Sequence, residues 1–118
     1  MQYLCLVYQE ESKMDAFLPS ELDALASEAL AYRDELRHRG HYVASSRLQP
    51  SRTAATVRVR NGQVSLGDGP FAETREQLNG FYLLDARDLN DAIRLASKMP
   101  PARIGSIEIR PLAEFDAA

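Results

Sequence analysis

Asp68 stands between Gly67 and Gly69, just ahead of Pro70, on a loop that ends a strand. A carboxylate held there could face a cleft and accept a proton. The commoner use of such a residue is local: it accepts hydrogen bonds from nearby backbone N–H groups and shapes its own turn. Glu73 and Glu76 follow closely. They would bind a cation or share proton work with Asp68, or else stay solvated or pair with Arg75. Arg58 and Arg60 alternate along one strand face with Ser65 and Gln63 opposite, a pattern able to clamp an anion or simply to face water. Tyr82 lies in a strand that is apolar on both sides, so its hydroxyl reaches either a pocket or a backbone partner. The candidate ligand-binding set is therefore Arg58, Asp68, Glu73 and Tyr82, with Asp68 as the catalytic candidate.

Other chemistries find little support. His38, His41 and Cys5 do not have the spacing of a metal site, and none is expected. No glycine-rich loop opens a helix to cradle a phosphate, no serine sits in a nucleophile elbow, and no cofactor is implied. Cys5 is the sole cysteine and lies in the apolar run Tyr3-Leu4-Cys5-Leu6-Val7-Tyr8, so it reads as a small buried hydrophobe. The net charge is −3, from 14 basic and 17 acidic residues, with no basic stripe for nucleic acid. No signal peptide opens the sequence, and no apolar run approaches the roughly 20 residues that span a bilayer. The expectation is a cytoplasmic protein of one domain, residues 1–118.

The elements that must position these residues follow from hydrophobic period and punctuation. Gln2 to Gln9 predicts a central strand, because both of its faces are apolar. Gln9 to Phe17 reads as a loop. A helix is predicted from Ser20, as its N-cap, to Arg39, with Gly40 just past its end. Its stripe is Leu22, Leu25, Ala26, Ala29, Leu30, Arg33 and Leu36. Tyr42 to Leu48 is a second strand. Asn61-Gly62 predicts a two-residue hairpin turn, setting Val57, Val59, Val64 and Leu66 on one face and Arg58, Arg60, Gln63 and Ser65 on the other. Phe71 to Leu78 reads as irregular, and Gly80 to Ala86 as another central strand. A second helix opens at Asp88, with Leu89, Ala92, Ile93, Ala96 and Met99 as its buried stripe, and stops at Pro100-Pro101. The last strand, Arg103 to Arg110, shows Gly105, Ile107 and Ile109 on one side, and Arg103 and Glu108 are candidates to pair. The tail after Pro111 is expected to be loose.

The order β-α-β, hairpin, β-α-β predicts an α+β fold: a ferredoxin-like split βαβ with an antiparallel sheet and two helices on one face. The other face keeps the apolar side chains of the central strands, an unusual burden for a monomer. A homodimer through that sheet face is expected. Burial of several hundred apolar Å² per subunit would gain on the order of 10 kcal/mol, before the entropy of association is subtracted.

The stretch from Asp68-Gly69-Pro70-Phe71 through Gly80-Phe81-Tyr82 resembles the signature of DGPF-domain proteins, a branch of the YCII-related family. Thr56 to Arg60, Gly105 to Pro111 and the opening strand resemble it too, so the likeness covers nearly the whole chain. The resemblance implies a dimeric α+β barrel. It also implies a setting near extracytoplasmic-function sigma factors. The related YciI branch pairs a histidine on the first helix with an aspartate before the proline that closes the second. Here Ala29 and Met99 hold those positions, so the pair is not carried over.

Two functions remain open from sequence. One is a homodimeric small-molecule-binding domain, or a cofactor-independent enzyme doing proton-transfer chemistry. In the enzyme, Asp68 would be the base, and Arg58 or Tyr82 would steady developing negative charge. The pocket would lie between sheet and helices near the Asp68 loop. The other is a non-catalytic regulatory or interaction module linked to sigma-factor signalling.

Overall fold

The computed structural model describes residues 1–114. In chain order the elements are β1 (Gln2–Gln9), α1 (Glu11–Met14), α2 (Pro19–His38), β2 (Tyr42–Arg47), β3 (Ala55–Arg60), β4 (Gln63–Asp68), β5 (Gln77–Asp85), α3 (Leu89–Ala96) and β6 (Ser106–Pro111). Short 3-10 turns occupy Ser51–Thr53 and Pro100–Arg103. Leu112 to Glu114 carry no regular structure, and the rest of the expected loose tail lies outside the described residues.

Strand β1 is the central strand that its apolar run predicts, flanked on both edges, with only its helix-side residues buried. It pairs with β5 and β6, antiparallel to each, and β2 closes the far side of β5. The order β2-β5-β1-β6 is the split βαβ arrangement, with a hairpin inserted between its second and third strands. Tyr3, Cys5 and Val7 face the helices and are buried. They form the core with Leu84, with Leu36 of α2, and with Ala92, Leu95 and Ala96 of α3. Tyr32 ties the two helices together by donating its hydroxyl to Leu95 O at 2.6 Å. Burial pushes the Cys5 thiol up to about 11, so it stays a protonated hydrophobe.

Several expectations need correction. Helix α2 begins at Pro19, one residue before the expected cap, and Ser20 falls inside the first turn. Pro19 brings its fixed φ to the first turn, and the Glu21 carboxylate accepts the Leu18 N–H at 3.0 Å. The loop after β1 contains the one-turn helix α1, and Glu11 on it anchors Ser51 through its N–H and hydroxyl at 2.7 and 2.8 Å. Strand β6 begins at Ser106 rather than at Arg103, which ends the turn formed by Pro100–Arg103. Arg103 there grips Glu28 of α2 with two bonds of 2.8 and 2.7 Å, while Glu108 accepts from Tyr8 instead.

The hairpin has the expected register, with Val57 opposite Leu66 and Arg58 opposite Ser65. Asn61 and Gly62 take the positive φ values, 53° and 74°, that such a turn demands. Yet β3 and β4 make a sheet of their own. Among the described residues, nothing in the main sheet or its helices packs on their apolar face, so Val57, Val59, Val64 and Leu66 remain 54–73% exposed.

Helix α3 is rotated from its expected stripe. Asp91, Ala92, Leu95 and Ala96 face inward, whereas Leu89 and Ile93 are about half exposed. Asp91 turns inward because it is fully bonded: it accepts the Arg87 N–H at 3.0 Å and Arg94 at 2.6 Å. Its own N–H is capped by Asp88 at 2.8 Å. The Arg87 N–H, then Arg94, pull the Asp91 carboxyl from 3.8 down to about 2. A lowered folded-state value stabilises above the unfolded value and is lost as pH falls through the folded one. Melting temperature is therefore expected to hold above about pH 4 and to fall toward about pH 2. Glu28, lowered by Arg103, shares in that slope. Asp91→Asn should flatten it in thermal melts. An unchanged acid slope in the variant would remove Asp91 from this role.

Candidate functional site

Only Leu36, near the end of α2, is fully buried, and the first half of the helix stands off the sheet. Between them lies a cavity of about 600 Å³, within the range that small-molecule sites occupy. Leu22, Leu25, Ala26, Ala29 and Arg33, spaced three and four apart, project from α2 onto it. Val7 and Gln9 of β1, Gly80 and Tyr82 of β5, and Ser45 and Arg47 of β2 form its floor. Pro100, Pro101 and Ile104 close one end.

The floor is shaped by two backbone features. Strand β5 bulges against β1: Val7 pairs with Gly80 and Tyr8 with Leu78, leaving Asn79 as the extra residue. The bulge turns the Asn79 amide toward Gln9, whose buried side-chain oxygen accepts from it. Gly80 is needed because a Cβ there would lie 2.9 Å from Ser46 O.

The polar groups of the cleft are mostly donors. Burial pushes the Tyr82 phenol up, the Arg33 charge pulls the other way, and Tyr42 adds to the rise. Tyr82 is therefore a neutral donor at physiological pH. Arg33 Nε is buried and finds no acceptor. Among the described residues, Asp23 is the sole carboxylate lining the cleft. It lies ten residues back along α2 from Arg33, about 15 Å away. Such a cleft can hold an apolar body and bond to its polar end. Its lining contains no imidazole, and no carboxylate near Tyr82 and Arg33, that would act as a general base.

Of the residues singled out from sequence, Tyr82 lines this cleft. Asp68, Arg58 and Glu73 do not, and all three are exposed. A smaller cavity of about 330 Å³, beside Met1 and Asp85, does not include them either. Asp68 ends β4 opposite Ala55. Its loop is shaped by neighbours, the Gly69 N–H on Ala54 O at 2.6 Å and the Thr56 hydroxyl on Gly69 O at 2.9 Å. Glu76 accepts from the Ser106 hydroxyl at 2.7 Å, and Arg75 lies 3.8 Å from Glu10. The described residues hold no cluster of three or more potential metal ligands.

Arg33, Gln9 and Asn79 were not singled out. Arg33 carried the one usable signal, a charge set inside an otherwise apolar helical stripe.

A family model described as the YCII-related domain matches residues 1–116. The chain belongs to the YCII-related family. An uncharacterized protein of Rhizobium meliloti (strain 1021) is 38% identical over 117 residues, covering 98% of this chain and 94% of that one. Among solved structures, the chain is similar in fold to a 5-chloro-2-hydroxyhydroquinone dehydrochlorinase from Burkholderia phenoliruptrix AC1100, in complex with 2,5-dihydroxybenzoquinone. The TM-score is 0.56, at 12% identity, over 98% of this chain and 96% of that one. A fold of this kind thus serves an enzyme in that case. In this YCII-related chain, Ala29 and Pro100 wall the cleft and Met99 is buried beside it, where the resemblance to the YciI branch sets a histidine and an aspartate. No helix of the described residues is long and apolar enough to cross a membrane.

Proposed function

We propose that this YCII-related protein is a cytoplasmic homodimer that binds a small organic molecule in the cleft between α2 and the sheet. The cleft itself carries the proposal: about 600 Å³, walled by leucines and alanines, with Arg33, Tyr82 and Asn79 among its polar lining. Ala29 and Met99, in place of an acid–base pair, favour binding over catalysis. The enzymatic version, with Asp68 as base and Arg58 steadying charge, requires Asp68 to reach a bound ligand. The exposed end of β4 lies outside the cleft lining, so that version has less support.

Dimerisation draws on the back of the sheet. Leu4, Leu6, Phe81 and Leu83 share the face opposite the helices, as the pairings Leu4 with Leu83 and Leu6 with Phe81 require. A second reading, a regulatory module linked to extracytoplasmic-function sigma factors, draws on the solvent-facing apolar side of β3–β4.

Amide NMR during titration with a panel of small aromatic compounds tests the cleft. The panel includes 2,5-dihydroxybenzoquinone, the compound in the complex of the similar enzyme. Shifts are expected to cluster at 25–33 and 79–82 and to spare 55–68. A panel in which every compound leaves the cleft amides unmoved would overturn the binding proposal and leave the interaction module in its place.

A further inference from the structure

Arg33 is the group that the fold leaves unfinished. It sits on the inward stripe of α2, one turn beyond Ala29, and lines the cleft. Its Nε is buried without an acceptor, and no side-chain hydrogen bond or ion pair to Arg33 occurs among the described residues. Three other arginines show the pairing that Arg33 lacks. Arg103 is bidentate on Glu28, Arg94 is bonded to Asp91, and Arg37 pairs with Asp34 and lies 4.7 Å over the Tyr42 ring. A guanidinium cannot shed its proton, so a buried Nε–H left unpaired is costly unless an acceptor meets it. The Arg33 charge is also felt at the Tyr82 phenol, whose hydroxyl is a second donor on the same stretch of wall. Arg47 adds another cation to the lining, and the single opposing carboxylate, Asp23, lies at the other end of the helix. The cleft is thus locally positive in a chain whose net charge is −3.

We infer that the ligand of this cleft is an organic anion with an apolar body, whose carboxylate or comparable oxyanion is held by Arg33 and Tyr82. The inference rests on the cleft being the binding site, as proposed above, and adds the class of molecule that enters it. The planar fork of Arg33 suits a two-oxygen head group. Leu22, Leu25, Ala26, Ala29 and Ile104 provide an apolar surface for the body beside it. An anion also explains why a helix would keep a charge in the middle of an apolar stripe. Packing alone would be served by methionine there.

The test compares two molecules of one shape, 2-naphthoate and 2-naphthamide, by calorimetric titration and amide NMR on the intact protein. The anion is expected to bind about tenfold more tightly than the amide, since one charge-assisted pairing separates them. Arg33→Met is expected to erase that preference, the anion losing more affinity than the amide. It is also expected to leave the melting temperature of the ligand-free protein unchanged or raised, because a buried donor without an acceptor has been removed. A purely structural Arg33 would instead lower it. Equal binding of the two molecules by the parent protein at the cleft would overturn the anion inference and leave the cleft standing. Failure of both to move cleft amides would overturn both. The comparison on the parent protein is decisive even where the variant does not fold.

Discussion

Alanine at Gly105 is expected to destabilise the protein by about 3 kcal/mol or more, the upper range for forcing one added methyl into a packed site. A Cβ at this position would lie 2.1 Å from Tyr8 O, 3.2 Å from Tyr8 C and 3.0 Å from Gln9 Cγ. Two of those three atoms are backbone, which cannot rotate aside as a side chain does. The strand pair must part where Tyr8 meets Ser106, at the start of β6. The effect should reach the cleft as well. Gln9 is buried, holds the Asn79 amide and lines the floor, and Ile104 of the end wall is the neighbour of Gly105. Urea denaturation should show the loss of stability, and any folded fraction should bind cleft ligands more weakly. A loss under about 1 kcal/mol would mean that β1 and β6 shift apart more freely than a packed antiparallel pair does.

The second large effect concerns self-association. Leu6→Asp is expected to convert a micromolar dimer into a monomer, weakening association by about a hundredfold or more. Leu6 is on the back of β1, opposite Phe81 on one side and Glu108 on the other. Its side chain is half-buried by its neighbours in the sheet and lies outside the helix-side core. An aspartate there would be solvated in a monomer and desolvated without a partner in a sheet-to-sheet dimer. Sedimentation velocity at micromolar concentration separates the two states. A parent protein that sediments as a monomer would overturn the homodimer, and a variant that still sediments as a dimer would move the interface away from this face. The apolar side of β3–β4 would then be the next surface to test, since Leu66 is 73% exposed.

Much of the fold was legible from the chain. Alternation identified β1 and β5 as strands apolar on both sides, and Asn61-Gly62 gave the hairpin register residue for residue. What alternation does not contain is which layer covers a strand. Val57, Val59, Val64 and Leu66 read as one apolar face of the hairpin, and the hairpin is a separate pair of strands whose apolar face stays exposed. Helical period likewise fixed the face of α2 but not how far that face stands from the sheet. Leu22 and Leu30 read as core residues, and they are 37% and 50% exposed because a cleft opens beneath the helix. In α3, local capping by Asp88 and the bonds of Asp91 rotated the buried stripe away from Leu89 and Ile93. Apolar periodicity is blind to such bonds.

The site was harder to see, for a similar reason. Asp68, flanked by glycines, has the local signature of an exposed and adaptable carboxylate, and it is exposed. Local sequence did not say what lies across from it. Tyr82 was recognised because its strand is central. Gln9 and Asn79 meet only through a bulge that no short-range pattern announces. Arg33 was visible as a charge in an apolar stripe, but its isolation depends on the positions of every carboxylate in the fold.

The most direct test of the cleft as an anion site is the Arg33 Nε–H resonance itself, followed while 2-naphthoate is added. It is expected to move downfield and to saturate together with the amides of Gly80 and Tyr82, as an orphaned donor gains its acceptor. A resonance that stays fixed while 2-naphthoate perturbs the β3–β4 hairpin would contradict the account and place binding elsewhere on the molecule.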